Sequence, residues 1–224
     1  MNILVTGGTG ILGSELKKLI PDAAFPERKN FDISNFDLMY YYLSDKKIDL
    51  IINCAAETNT VLCETNLAKA LNSNVTGPVN LVKLQDKYNF KLVHISTDYV
   101  FDGSKGDYKN TDLINPISNY SKSKAAGELV VRMSKNSLII RTSFFPKEFT
   151  HDKAFVDQVT TKDFVDIIAP MVLEAAISGE NGVLHVGTKK DTVYNKVKKR
   201  KPNVKKISIK DINSIFIPKD VSLI

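Results

Sequence analysis

The sequence predicts an α/β protein built on a doubly wound parallel sheet, with a small second lobe towards its C-terminal end. Three observations carry this. Short apolar runs bounded by turn residues alternate with stretches of helical apolar spacing along most of the 224 residues, the order expected of linked βαβ units. The apolar runs are continuous rather than alternating, as in strands covered on both faces. A glycine-rich turn, "TGGTGILG", joins the first apolar run to the first helical pattern.

Residues 2–6 form the first strand. Residues 11–20 follow with helical spacing of Ile11, Leu12, Leu16, Leu19 and Ile20, and stop at Pro21. Residues 23–25 make a weak second strand, and Ser34 caps a helix running to about Lys46. "DLIIN" (49–53) is a buried strand. A long helical pattern covers 66–88, and Gly77-Pro78 within it predicts a kink or interruption. Strand 90–96, helix 118–133 and strand 137–142 come next. Residues 162–177 are helical with a break or kink at Pro170, 183–186 are a strand, and 193–199 a short helix. The alternation breaks near Phe144, in "FFPKEFTHDKAF". Residues 1–143 are therefore read as the doubly wound domain, and 144–224 as a small second lobe with the remaining sheet and helix elements.

Hydrophobic residues make up 43% and charged residues 25% of the chain, the balance of a soluble globular protein. No apolar run approaches the ~20 residues of a membrane span. The opening "MNILVTGGTG" has neither a basic leader nor a cleavage-type site, so it reads as a strand rather than a signal peptide. Cys54 and Cys63 lack metal-ligand spacing and are expected as reduced thiols, with no metal, in a cytoplasmic protein. The net charge of +6 is uneven: "KVKKRKPNVKKISIK" (196–210) holds seven Lys and one Arg. It is either a solvated face or an attractor of anions. No helix-turn-helix, zinc or RNA-binding signature accompanies it, so no nucleic-acid partner is predicted.

Gly7, Gly10 and Gly13 follow a strand and open a helix, the context in which such a spacing signals dinucleotide binding. Gly7 permits the tight turn, Gly10 lets backbone approach a pyrophosphate, and Gly13 lets helix and strand pack closely. The helix N-terminus offers free amides to the phosphates. In "PERKNFDIS", Glu27 would accept from the 2′-hydroxyl of NAD, while Arg28 or Lys29 would pair with the 2′-phosphate of NADP. Two cations beside one acid tilt the reading towards NADP, with NAD the alternative.

Tyr120 and Lys124 stand four apart on one helical face. A free phenol, with a pKa near ~10, is a poor acid or base at neutral pH. An adjacent ammonium stabilises the phenolate and lowers that value. Thr97 ends a parallel strand, where such sheets bind ligands. Its hydroxyl can orient a substrate oxygen against Tyr120, which makes the three a proton-transfer device beside a hydride carrier. That explains the polar ending of "ISTDYVFDG" (95–103).

The segments "TGGTGILG", "FDIS", "IINCAAETN", "NSNVTGPVNL", "VHISTDYVFDG", "NYSKSKAAGE", "IIRTS" and "IPKDVSLI" together resemble the extended short-chain dehydrogenase/reductases, and within them the dTDP-4-dehydrorhamnose reductases. The resemblance implies a Rossmann domain, with Thr97, Tyr120 and Lys124 as the catalytic set. It implies cofactor contacts from Gly7, Gly10, Ile11, Leu12, Gly13, Asp32, Ile33, Ala55 and Ala56. Tyr120, Lys124 and the segment Arg141, Thr142, Ser143 would touch the cofactor as well. Asn74 matches a position that supports the active site; its alternative is a helix-kink partner. Sugar-nucleotide dehydratases carry Asp-Glu after the threonine, whereas Tyr99 follows Asp98 here, which favours simple reduction of a 4-keto sugar nucleotide. The resemblance also implies a homodimer formed through helix 118–133. Ser121 stands where the family has glycine, Phe144-Phe145-Pro146 replaces an aromatic continuation, and the lobe is shortened after Ser143. His151 and Asp152 in that region are read as loop residues, with contact to substrate the alternative, and His94 as a core residue. A regulatory subunit of methionine adenosyltransferase resembles the same reductases and gives a non-catalytic alternative. An epimerase/reductase gives a third.

Overall fold

The structure, a computed structural model, describes residues 1–212 and 217–224. Five parallel strands form the central sheet. β1 (Ile3–Thr6), β2 (Leu50–Asn53), β3 (Lys91–Thr97) and β4 (Ser137–Thr142) lie side by side in that order, and Gly182–Val186 closes the far edge. Beyond β1 the expected second strand shrinks to one parallel bridge between Leu4 and Ala24. It is held by Val5 N–H donating to Ala24 O and Ala24 N–H donating to Ile3 O, both at 2.8 Å. The chain therefore leaves β1 towards one side of the sheet and returns on the other, so the glycine turn sits at the switch point where such sheets bind ligands.

The continuous apolar runs are explained by the two covered faces. Val5, Leu50, Ile52, Val93, Ile95, Leu138 and Ile140 point to one side, packed by Leu12 and Leu16 of α1 (Ile11–Leu19) and by α7 (Val165–Ile177). Leu4, Ile51, Leu92 and Ile139 point to the other. There they meet Met39 and Leu43 of α2 (Phe36–Leu43), Leu81 and Leu84 of α5 (Gly77–Tyr88), and Val131 of α6 (Asn119–Val131). Period-two alternation thus exists, but both faces are apolar.

Several boundaries differ from the sequence reading for local reasons. The cap of α2 is Asn35, whose side chain accepts from Leu38 N–H at 3.1 Å. Ser34 instead donates from its amide and its hydroxyl to Asp32 Oδ1. Gly77-Pro78 does not kink a helix. The irregularity precedes it, as α3 (Thr60–Thr65), α4 (Leu67–Leu71) and a π-helical turn Asn72–Thr76. Pro78 then falls in the first turn of α5, where a missing N–H costs no helical hydrogen bond. Pro170 lies within α7, which continues through it.

The small lobe is built from two separate stretches, before and after α7 and the last sheet strand. Short parallel pairs join Phe144–Phe145 to Asp163–Phe164 and Lys153–Phe155 to Lys205–Ile207, and Val159–Thr160 pairs antiparallel with Asp191–Thr192. Phe145, Ala154, Phe164, Val193, Val197 and Val204 form its core, with α8 (Val193–Lys198) on one side.

One buried ion pair locks α6 onto the sheet. Glu128 and Arg141 are both fully buried. Arg141 donates through Nε to Oε2 at 3.1 Å and through Nη2 to Oε1 at 2.6 Å. Ser96 of β3 donates to Oε2 at 2.9 Å, and half-exposed Arg132 donates to Oε1 at 2.6 Å. Burial alone would raise the Glu128 carboxyl, but these donors hold it below the ordinary carboxylate range. Replacing Glu128 by Ala leaves Arg141 buried and unpaired, with an expected loss of about 3–5 kcal/mol in urea unfolding. Arg132→Ala, at the exposed end of the same network, is expected to cost under about 1 kcal/mol.

Candidate functional site

The carboxyl ends of the strands open into a cleft made of two cavities, ≈ 430 and ≈ 270 Å³, that meet at Gly7, Gly10, Cys54 and Ala56. The glycine turn forms its floor. Gly7 has φ 67°, and a Cβ on it would stand 2.8 Å from Ala55 N. A Cβ on Gly13 would collide with the carbonyl oxygen of Gly7, so Gly13 is needed against the turn itself rather than against a strand. No side chain caps α1 at Gly10, which leaves the amides of its first turn to meet an anion. This cradle fits a dinucleotide: the backbone surface is bare where a pyrophosphate would lie.

The larger cavity is lined by Phe25, Glu27, Arg28, Asp32, Ile33 and Ala55 among others. Arg28 Nε donates to Asp32 Oδ2 at 2.8 Å. Burial is the largest single influence on the Asp32 carboxyl and raises it, but the hydrogen bonds and charge of Ser34 and Arg28 together bring it below its ordinary value. Lys29 does not line the cleft; it pairs with Glu27 at 2.8 Å on the exposed side of the loop. The smaller cavity is lined by Ile11, Leu12, Gly13, Thr97, Tyr120, Lys124, Thr142 and Ser143. Arg141 is not among them: the Glu128 pair holds it on the other side of β4, where it also reaches His185.

Thr97, Tyr120 and Lys124 come together here from β3 and α6. Ser118 caps α6 by accepting from Ser121 N–H at 3.1 Å, and Ser121 Oγ accepts from Ser118 N–H at 2.9 Å. This capping box is what Ser121 does in place of the family's glycine. It fixes the first turn, which carries Tyr120. Lys124 is buried and its Nζ donates to Ile95 O at 2.7 Å. Asn74 supports the site from the π turn: it donates to Ser123 Oγ at 2.9 Å and to Glu57 O at 3.0 Å, and accepts from Glu57 N–H at 2.8 Å. A Cβ on Gly127 would strike Asn74 O, so α6 approaches this turn as closely as backbone allows.

The electrostatics differ from the sequence expectation in one respect. Tyr120 is not activated in this state. Burial pushes its phenol well above the ordinary value, although a hydrogen bond with Thr97 opposes the shift. Burial also lowers Lys124 to about 8, against the pull of Cys54 and Glu128. The lysine's ammonium is directed to the Ile95 carbonyl, so its charge does not offset the desolvation of the phenol. Cys54, at the same depth, is raised to about 12 by burial. His94 is a core residue, its Nδ1 paired with Asn53 Nδ2 at 3.0 Å, and burial takes its imidazole far below the ordinary value.

Asp98 is a feature that the sequence reading used only to separate reductases from dehydratases. It is fully buried behind Thr97, whose Oγ1 donates to Oδ1 at 3.2 Å. Burial raises it to about 6, against the attraction of the Lys162 ammonium. Beside it Tyr99 meets Tyr120 edge-on at 6.5 Å, accepts from Gln158 Nε2 at 3.2 Å, and is raised by burial to about 12. Tyr99, Gln158 and Lys162 also line a third cavity, ≈ 760 Å³, walled by Phe145, Phe149 and Phe155 of the lobe. His151 and Asp152 also line it, with His151 against the Phe149 ring.

The family model described as the RmlD substrate binding domain matches residues 1–169. A dTDP-4-dehydrorhamnose reductase of Aggregatibacter actinomycetemcomitans is 35% identical over 80% of this chain and 64% of its own length. The chain thus spans less than two-thirds of that relative. A protein of Haloferax volcanii described as a probable low-salt glycan biosynthesis reductase is 31% identical over 84% of this chain and 75% of its own. Among solved structures, a dTDP-4-dehydrorhamnose reductase of Clostridium acetobutylicum superimposes with TM-score 0.89 and 28% identity, covering 100% of this chain and 90% of that one.

The buried Asp98 makes stability depend on pH. Its folded pKa, about 6, lies above the ordinary carboxylate value. The stabilising contribution is therefore complete below pH ~4 and is lost as pH rises through 6. Two pK units correspond to on the order of 3 kcal/mol. The difference in unfolding free energy between wild type and Asp98→Asn is expected to change by that order between pH ~4 and ~7, and no change there would place the carboxyl in a solvated site.

Proposed function

The chain belongs to the dTDP-4-dehydrorhamnose reductase family, and on that premise we propose that it reduces the 4-keto group of a nucleotide-linked deoxy sugar with NADPH. The observation that carries the reading is the convergence of Thr97, Tyr120 and Lys124 at one end of a cleft floored by the glycine turn. Bound in that cleft, NADPH supplies a hydride to the carbonyl carbon. Everything else falls to this chain's residues. Tyr120, kept protonated by burial, donates its proton to the keto oxygen. Thr97 holds that oxygen against the phenol. Lys124, its amine buried beside the strand end, receives the cofactor ribose and supplies positive charge as the phenolate forms. Acid–base assistance of this kind is worth roughly 10²–10⁴ in rate.

Cofactor contacts follow the cleft: Gly7, Gly10, Ile11, Leu12 and Gly13 for the pyrophosphate, then Ile33, Ala55 and Ala56 for the adenosine, with Thr142 and Ser143 near the nicotinamide. Arg28 at the mouth would meet the 2′-phosphate, oriented by Asp32; Lys29, paired with Glu27, is the second cation of the same loop. The sugar nucleotide enters by the lobe cavity, past Tyr99. Retention of all three proton-transfer residues favours an enzyme over a regulatory subunit. The exposed Leu129 of α6 and Met133 just beyond its end support association of two copies through that helix, in a cytoplasmic protein.

The test follows nicotinamide absorbance as NADPH meets a dTDP-4-keto-6-deoxy sugar. Wild type is expected to consume NADPH, and Tyr120→Phe to lose at least about 100-fold in turnover. Unchanged turnover in that variant would remove Tyr120 as proton donor. NADPH bound but never consumed with 4-keto sugars would sink the reductase. Binding of NADPH should exceed that of NADH by about tenfold or more, a difference of ~1.4 kcal/mol, and Arg28→Ala should erase it. Tighter binding of NADH would overturn the role of Arg28.

A further inference from the structure

The lobe cavity carries a positive charge that no neighbouring acid answers. Lys162 lines it, together with Tyr99, Gln158, Phe145 and Phe149. Its Nζ stands 4.5 Å from the centre of the Phe145 ring. Among the described residues this ammonium has no carboxylate within ion-pair distance and no hydrogen-bond acceptor. Asp163, next to it in the chain, is engaged elsewhere: its Oδ2 accepts from Thr188 Oγ1 at 2.8 Å and faces the Lys196 ammonium at 3.7 Å. Asp152, on the wall of the same cavity, pairs with Lys201 at 3.6 Å. Asp98 acts on Lys162 through its charge alone, without an ion pair or a hydrogen bond. The face of Phe145 offsets part of the lost hydration, but an ammonium withdrawn from water calls for an anion.

We propose that Lys162 binds the diphosphate of the sugar nucleotide through its ammonium. This rests on the reductase reading and deepens it, by assigning the charge of the substrate to one side chain. The assignment follows from the shape of the substrate. In a 4-keto pyranose the carbonyl carbon and the anomeric carbon lie across the ring from each other, and the diphosphate hangs from the anomeric carbon. With the keto oxygen at Tyr120, the diphosphate lies one sugar ring away. Tyr99 spans that step: its ring meets Tyr120 at 6.5 Å, and it shares the lining of the lobe cavity with Lys162. In the nucleotide of a deoxy sugar without acid groups, the diphosphate is the sole anion, so it is the group that an unanswered ammonium selects.

The other lysines of the lobe do not fit this role. Lys196 is 2% exposed, but it donates to Thr188 Oγ1 at 2.7 Å, is paired with Asp163, and does not line the cavity. Lys153 lines the cavity but is exposed, so water already serves its charge and an added ion pair there gains little. The aromatic wall suits the remainder of the nucleotide. Phe145 meets Phe149 edge-on at 5.7 Å, and Phe149 meets His151 at 5.4 Å, which gives a nucleobase flat surfaces to stack on. Charge at Lys162 and rings beside it thus follow the order of diphosphate and base in the substrate.

The experiment measures binding and needs no turnover. The full chain is saturated with NADP⁺, which fills the cofactor cleft, and titrated in a calorimeter with dTDP and with thymidine. Wild type is expected to bind dTDP at least about tenfold more tightly than thymidine. Lys162→Met should abolish that preference and leave thymidine binding unchanged, and Lys162→Arg, which keeps the charge, should retain it. Without ligand, Lys162→Met is expected to melt no lower than wild type, because a buried charge without a partner has been removed; Lys162→Gln repeats the neutralisation with a polar side chain. A preference for dTDP that survives in both neutral variants overturns the proposal, as does a wild type that binds the two ligands alike or binds neither. Equal loss of dTDP and thymidine in the variants would make Lys162 a support of the Phe145 wall only. A dTDP preference that depends on Lys162, in a protein that consumes no NADPH with 4-keto sugar nucleotides, sinks the reductase reading and leaves the diphosphate site standing, so the two failures are told apart.

Discussion

The seating of α6 on the sheet is the constraint from which the rest of the site follows. Tyr120 and Lys124 stand on its first turns, and Glu128 on its last. The Glu128 carboxylate is gripped at once by Arg141 of β4 and Ser96 of β3. A buried ion pair adds little net stability over an apolar contact of the same shape. What it adds here is register. A bidentate pair tolerates neither a slide along the helix axis nor a rotation about it. Tyr120 lies eight residues upstream, about 12 Å along the axis, and so inherits that precision. The other restraints act on the same helix. Gly127 admits the Asn74 carbonyl, and Asn74 ties Ser123 of α6 to the loop after β2. Three elements that line the cleft are thus referred to one helix.

Burial sets the chemistry of the site by making charge expensive. Each titratable group at the strand ends is displaced towards its neutral form: Tyr120, Asp98, Tyr99 and Cys54 upward, Lys124 and His94 downward. For a reduction this is the useful direction, because the proton donor must start protonated. The cost falls on the states after proton transfer, when a phenolate must be tolerated. Lys124 is the charge for that moment. Its present hydrogen bond to Ile95 O keeps the ammonium at the right depth without committing it to the phenol.

Much of this was legible in the sequence because it is local. The strands are runs of apolar residues, the glycine turn needs glycine at Gly7 and Gly13 for steric reasons that act within a few residues, and Tyr120 and Lys124 share a helical face by spacing alone. Ser34 and Asn35 are adjacent and equally suited to cap α2, and only the folded position of Asp32 draws Ser34 away. Pro78 was read as a kink because its position in the first turn of α5 depends on the π turn before it. Arg141 was assigned to the cofactor with its neighbours, since nothing near it in sequence reveals that Glu128, on a different element, claims it. The upward shift of Tyr120 escaped for the same reason: a neighbour four residues away is visible, but desolvation by three elements is not. Asp98 and Lys162 are far apart in sequence, and the lysine's charge acts on the carboxyl only in the folded chain.

The lobe bears on the site through a few contacts only. The residues proposed to act on hydride and proton lie on the sheet side, in the cleft lined by Gly13, Thr97, Tyr120 and Lys124. The lobe cavity is walled by its own aromatic residues and touches that machinery through the Tyr99–Tyr120 edge contact and through Gln158, which holds the Tyr99 hydroxyl. Changes in the lobe can therefore reshape what is admitted while leaving the reacting geometry where α6 and β3 put it. Since the segment 144–164 is anchored to the sheet by α7 directly after it, and Val159 by a bridge to Asp220 near the C-terminal end, the lobe does not need great size to be held in place.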